Sequence, residues 1–335
     1  MKTPSQPSIS TVTAAGSRPV FRGAHAACRA NAQSDGGPPR ANERALARAV
    51  PSHGEANRAP GNASAFTLLE LITSVAVLFL LLATLLPALA RSAPGSRSFQ
   101  CANNLRQLQT AWRLYAADNR DNLVFASDDG SGGSNPNNKY AWNLTHLDFD
   151  PNNPANTDIN VALTNGPLWS YVGRNAAAFK CPTDESFVVV NGVAKPRTRS
   201  FSMNLYFGGF AGTSGGTLLA AFRIFNRTTD LASPGPANTF LFIDQRQDFI
   251  NWGNFYTDMA GYPNQPGQFR LIDLPTNLHD GAGNLVFADG HTETHRWVDP
   301  RTIPALNSAV FTGSSIAVPN DPDVAWLQAR ATAPR

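Results

Sequence analysis

Phe66-Thr67-Leu68-Leu69-Glu70-Leu71-Ile72-Thr73-Ser74-Val75-Ala76-Val77 opens an apolar stretch that continues to Ala90. No charged residue occurs between Leu71 and Ala90. About 20 such residues suffice to cross a bilayer core as a helix. One carboxylate, Glu70, stands just inside the amino-terminal end, where an acid in an apolar setting calls for a partner. Outward from this junction the chain divides into a leader at 1–65, a membrane or filament-core helix at 66–90, an amphipathic helix at 91–120 and a head at 121–335.

The charge is divided at the same place. The 335 residues carry a formal net charge of +3, but residues 1–65 hold eight Lys/Arg and three acids, leaving 19 basic and 21 acidic residues beyond them. The basic character therefore belongs to the leader, and residues 66–335 give no charge-based case for nucleic-acid binding. The leader, rich in Ala, Ser, Pro, Gly and Arg, has no apolar periodicity and reads as unstructured. Its positive charge predicts a cytoplasmic location for 1–65, with everything after Ala90 on the other side.

A small residue followed by Phe-Thr-Leu-Leu-Glu resembles the processing site of type IV prepilins and type II secretion pseudopilins. The resemblance covers about 25 residues. It implies cleavage between Ala65 and Phe66 by a prepilin peptidase, and N-methylation of Phe66. It also implies an assembly role for Glu70 and a helix-kinking Pro87. Family members usually carry Gly before the cut, where this chain has Ala65. The implied partners are copies of the chain, other pilin-like subunits, the peptidase, an inner-membrane assembly platform and the membrane itself. The implied location is the bacterial inner membrane, single-pass, with the head in the periplasm.

Beyond Pro94-Gly95, the residues Cys101, Leu105, Leu108, Trp112 and Tyr115 recur at helical spacing. The fold class expected is α+β: a long amino-terminal helix, transmembrane and then amphipathic, packed on a mainly antiparallel sheet as in pilins. Short apolar runs at 186–190, 199–207, 239–243 and 284–288 read as its strands, with Asn191-Gly192 as a hairpin turn. Asp128–Asn138 and Phe207–Gly216 are glycine-rich loops that close with neither a nucleotide-binding Gly-Lys-Ser/Thr nor a nucleophile elbow. With no catalytic set in view, the expectation is a structural subunit with no cofactor, not an enzyme.

Of the three cysteines, Cys28 falls in the leader, and Cys101 and Cys181 have the option of one disulfide in an oxidising compartment. Near the carboxy terminus, His279 and Asp289-Gly290 are separated by nine residues, the H-x9-D-G pattern of many such pilin-like proteins. Two readings stand side by side: His279 and Asp289 lock a turn centred on Gly290, or His279, Asp289, His291 and His295 supply metal ligands. Some major pseudopilins bind calcium in a carboxy-terminal loop. This chain lacks that loop in recognisable form, so calcium falls on no named residue.

Two alternatives of other classes remain open. Ala88-Leu89-Ala90 fits an ordinary signal-peptidase site, whose use would release 91–335 as a secreted enzyme or binding protein. The apolar stretch is longer than a typical signal h-region and contains Glu70. Alternatively, an uncleaved anchored module binds carbohydrate or protein through Trp142, Trp169 and Trp252.

Overall fold

The computed structural model describes residues 67–92, 96–131, 134–216, 219–306 and 315–335, with the side chains of 84–92 set aside. The leader and the Ala65–Phe66 junction lie outside the described residues. The first helix, α1 (Leu68–Ser92), is helical throughout, Pro87 included. Every described side chain on it, from Leu68 to Ala83, is exposed. The second, α2 (Arg97–Asp118), begins afresh: Ser96 has extended backbone, and its side chain accepts the Phe99 N–H at 3.1 Å.

The expected single long helix is therefore corrected to two. Proline at 94 offers no N–H donor and glycine at 95 disfavours helix, so Ser96 becomes a new N-cap. Among the described residues no helix is long and apolar enough to cross a membrane. Among the described residues the fold is a sheet-containing domain with four separate α-helices, without the long transmembrane-then-amphipathic spine.

The stripe on α2 has a clear destination. Cys101, Leu105, Leu108, Trp112 and Tyr115 are all buried. They pack against a five-stranded sheet formed by β3 (Phe201–Asn204), β4 (Phe240–Asp244), β5 (Asn254–Phe255), β7 (Ala282–Phe287) and β8 (Thr292–Arg296), in the order β5-β3-β4-β7-β8. All pairs are antiparallel except β3 with β5, which is parallel. Strands β3, β4 and β7 are buried along their whole length, which fits their runs of Phe, Leu, Ile, Met and Val. Trp142 completes this core, edge-on to Phe242 at 5.0 Å and stacked near Phe179, with its Nε1 donating to the Gly253 carbonyl at 2.7 Å.

Three smaller pieces surround the sheet. Strands β1 (Phe187–Val190) and β2 (Val193–Pro196) form a hairpin whose Asn191-Gly192 turn has positive φ at both residues, the arrangement that matches strand twist. Strands β6 (Arg270–Leu271) and β9 (Ile316–Ala317) pair with each other. A one-turn helix, α3 (Ile159–Ala162), and the final helix, α4 (Pro322–Ala331), complete the elements. Asp321 caps α4 by accepting the Asp323 and Val324 N–H groups.

Asp273, between β6 and β7, is buried, and its Oδ2 accepts the Tyr256 N–H at 2.7 Å. Burial pushes its carboxyl from the ordinary 3.8 up to about 7, the Tyr256 and Gln245 hydrogen bonds offsetting only part of that. The folded state holds this proton more tightly than the unfolded chain. The contribution of Asp273 to stability is therefore greatest below about pH 4, falls as the pH rises toward 7, and levels off above it. Asp273→Asn is expected to remove this slope and to stabilise the protein at pH 8 by on the order of 3–4 kcal/mol. Thermal midpoints of both forms across about pH 4–8 measure it, and parallel curves would refute it.

Candidate functional site

Four segments distant in sequence bring their chemistry to one point. Cys101 lies on the second turn of α2, on its buried face. Cys181 follows a short helical turn at Ala176–Phe179 and is positioned by its own N–H donating to Ser200 Oγ at 2.8 Å. Asp244 is the last residue of β4, where an otherwise apolar strand ends in a carboxylate. His279 precedes β7 and is held by its N–H donating to the Ala282 carbonyl at 3.2 Å. One ligand-type atom from each of the four lies within 4.8 Å of all the others.

The geometry converges on His279 Nε2. It stands 3.4 Å from Cys181 Sγ and 3.3 Å from Asp244 Oδ2. Cys101 Sγ is 3.5 Å from the same Asp244 oxygen. Both cysteines and Asp244 have no exposed surface, and the His279 side chain is only 4% exposed. Asp244 Oδ1 has no hydrogen-bond partner among the described residues.

The charges follow from these contacts. The Cys101 hydrogen bond, against the effect of burial and with help from His279, holds the Cys181 thiol down to about 4. Burial depresses His279, but the hydrogen bonds to Asp244 and Cys181 outweigh it and hold the imidazole up to about 9. Burial drives both Cys101 and Asp244 well above their ordinary values. Burial thus favours the neutral forms of Cys101 and Asp244, while the contacts of Cys181 and His279 favour a thiolate–imidazolium pair. One imidazole nitrogen faces both sulfur and carboxylate, so this is not a relay in which a carboxylate orients the far side of a histidine. Both sulfurs are buried.

No family model matches the chain, and neither a curated protein nor a solved structure does. The site is therefore read from its own chemistry.

The structure separates residues that the sequence grouped. His279 does not reach Asp289. The six residues of β7 stand between them, and a strand of that length spans roughly 20 Å, so nine intervening residues place the two at opposite ends. Asp289 instead closes the β7–β8 hairpin by itself: its Oδ1 accepts the His291 N–H at 3.1 Å and contacts His291 Nδ1 at 2.7 Å, while the Gly290 N–H donates to the Phe287 carbonyl. His291 stacks on Phe287, and His295 stacks on Trp326 beside Glu293. The metal set of His279, Asp289, His291 and His295 is thus dispersed, and only His279 enters a cluster. Cys101 and Cys181 lie together as free buried thiols.

At the amino-terminal end of α1, Glu70 has a local role that sequence reading missed. Its Oε2 accepts from the Thr67 N–H and the Thr67 hydroxyl, both at 2.9 Å, and Thr67 Oγ1 accepts the Glu70 N–H at 3.3 Å. Thr67-Leu68-Leu69-Glu70 is a capping box, and the Thr-x-x-Glu spacing was the signal for it. The tryptophans do not form a platform. Trp142 is in the core, Trp169 packs against it, and Trp252 stacks on His146 at 4.0 Å.

Proposed function

We propose that the chain is a prepilin-like structural subunit, cut before Phe66 and assembled with copies of itself or with similar subunits through α1. The observation that carries this reading is the surface of α1. Leu68, Leu69, Leu71, Ile72, Val75, Val77, Leu78, Phe79, Leu80, Leu81 and Leu82 are each 42–74% exposed. Soluble monomers rarely leave so large a contiguous apolar surface uncovered. The helix is apolar on every side, so a single head cannot bury it, whereas a bundle of like helices can. Before assembly, the precursor would wait at the bacterial inner membrane.

Within such a bundle the freed Phe66 ammonium of one copy would meet the Glu70 carboxylate of the next, setting the register between them. Two substitutions separate this from the capping box. Glu70→Gln keeps the cap, since Gln also closes a capping box, and removes only the charge. Glu70→Ala removes both. Co-expressed with a prepilin peptidase, both variants should be processed to methyl-Phe66 and both should fail to enter filaments. Wild-type incorporation of Glu70→Gln would sink the proposed ion pair. An amino terminus at Arg91 in the wild-type protein would sink the whole reading in favour of an ordinary signal sequence.

A further inference from the structure

We propose that Cys101, Cys181, Asp244 and His279 form a closed four-ligand site for a structural zinc ion. The proposal is independent of how α1 is processed. Zinc is bound at about 2.3 Å by thiolate and about 2.0–2.2 Å by imidazole nitrogen or carboxylate oxygen, normally in a tetrahedron. A tetrahedron with those bond lengths has edges of about 3.6 Å between sulfur and nitrogen or oxygen, and about 3.3–3.4 Å between nitrogen and oxygen. The corresponding distances are 3.4 Å for Cys181 Sγ to His279 Nε2, 3.5 Å for Cys101 Sγ to Asp244 Oδ2, and 3.3 Å for His279 Nε2 to Asp244 Oδ2. All three agree to within about 0.2 Å, the tolerance a credible site requires. The other three edges each lie within 4.8 Å, so the four ligand atoms bracket the space for one ion.

The surroundings support an ion more than a bare hydrogen-bond cluster. Asp244 is fully buried with one oxygen lacking a donor, an arrangement costly for a carboxylate on its own. Cys181 is held in place by its N–H donating to Ser200 Oγ at 2.8 Å, and His279 by its N–H donating to the Ala282 carbonyl at 3.2 Å. Outer contacts of this kind orient metal ligands. Two thiolates and one carboxylate around a dication leave one net negative charge, and Lys180 stands near enough to Cys181 to act on it electrostatically. The mixed sulfur, nitrogen and oxygen set suits zinc better than calcium or magnesium, which take oxygen ligands only. With four protein ligands there is no open position, so the ion is structural. It would fasten α2, the Cys181 segment, β4 and the entry to β7 to one point.

The test uses the full chain, produced without chelators. Elemental analysis should find about one zinc per chain. Exchange with cobalt(II) chloride should give the strong visible bands of tetrahedral cobalt together with thiolate-to-cobalt charge transfer. Asp244→Asn and His279→Gln should each weaken zinc binding by more than the roughly 10–100-fold typical of losing an outer-shell partner. Asp289→Asn, in the hairpin, should leave zinc unchanged. Wild-type protein that lacks stoichiometric metal, takes up no tetrahedral cobalt, and yields a Cys101–Cys181 disulfide on peptide mapping would overturn the proposal. That readout needs only the wild-type chain, so a variant that fails to fold does not obscure it.

Discussion

Arg199→Met is expected to destabilise the head by about 1–3 kcal/mol and to shift its urea midpoint accordingly. Arg199 has no exposed surface and no carboxylate within ion-pairing distance among the described residues. Its guanidinium instead serves carbonyls. Nη2 donates to Trp252 O at 2.7 Å and Asn251 O at 3.1 Å, with longer contacts from Nη2 to Thr145 O and from Nη1 to Phe201 O. The cation also lies over the Trp142 ring, 5.9 Å from its centroid. Burial, with Arg197 adding to it, pulls the guanidinium down to about 9, still above neutrality, so the cation is retained at pH 7. Methionine keeps much of the side-chain volume but abandons the Trp252 carbonyl, an unsatisfied buried acceptor costing about 1–3 kcal/mol, whereas the Asn251 carbonyl keeps the Leu147 N–H at 2.7 Å. Relief of the buried charge offsets part of this. Arg199→Lys should rescue only partly, because a single ammonium cannot reproduce the fork that reaches several carbonyls. An unchanged midpoint for Arg199→Met would refute this account.

Gly208→Ala should be comparably damaging. Gly208 has φ of +70°, and an added Cβ would lie 2.3 Å from Phe125 Cδ1 and 2.7 Å from Phe125 Cα. The ring could turn aside, but the backbone has little room. The Phe125 N–H donates to Tyr140 O at 2.8 Å, and its carbonyl accepts the Trp142 N–H at 2.9 Å. Gly208 is fixed as well, its N–H donating to Phe225 O at 2.9 Å. The left-handed backbone costs an alanine about 1–2 kcal/mol, and forcing a methyl into a packed contact adds about 1–3 kcal/mol. Equilibrium unfolding of the variant checks the sum, and a loss below about 1 kcal/mol would show that the Phe125 segment yields.

The periodic parts of the fold were legible in the sequence. The spacing of Cys101, Leu105, Leu108, Trp112 and Tyr115 identified the buried face of α2, because side chains three and four apart share a helix face. Apolar runs between turn residues located β1, β3, β4 and β7 to within a few residues. The break after α1 was half-visible: Pro94-Gly95 marked it, but joining two apolar patterns into one helix gave the cap at Ser96 too little weight. The cluster was not legible as a set. Local spacing cannot show which of several polar residues meet when they come from four segments. The motif that contains His279 pointed along the chain to Asp289, whereas the contact runs across the sheet to Asp244. The one available signal was an aspartate ending the apolar run Phe240-Leu241-Phe242-Ile243. The carbonyl-bound Arg199 was equally silent, since a guanidinium that bonds only backbone leaves no partner residue to find.

Among the described residues strand β8 pairs with β7 on one side only, and its five residues are Thr292, Glu293, Thr294, His295 and Arg296. Charged and hydroxyl side chains along an open sheet margin discourage a second chain from annealing there. The opposite margin, β5, is two residues long and offers little to extend. Heads crowded together at high local concentration would therefore slide past one another instead of fusing into a continuous ribbon. In the proposed assembly their association would remain as reversible as the contacts that bring them together, so that subunits could be shed without leaving an aggregate behind.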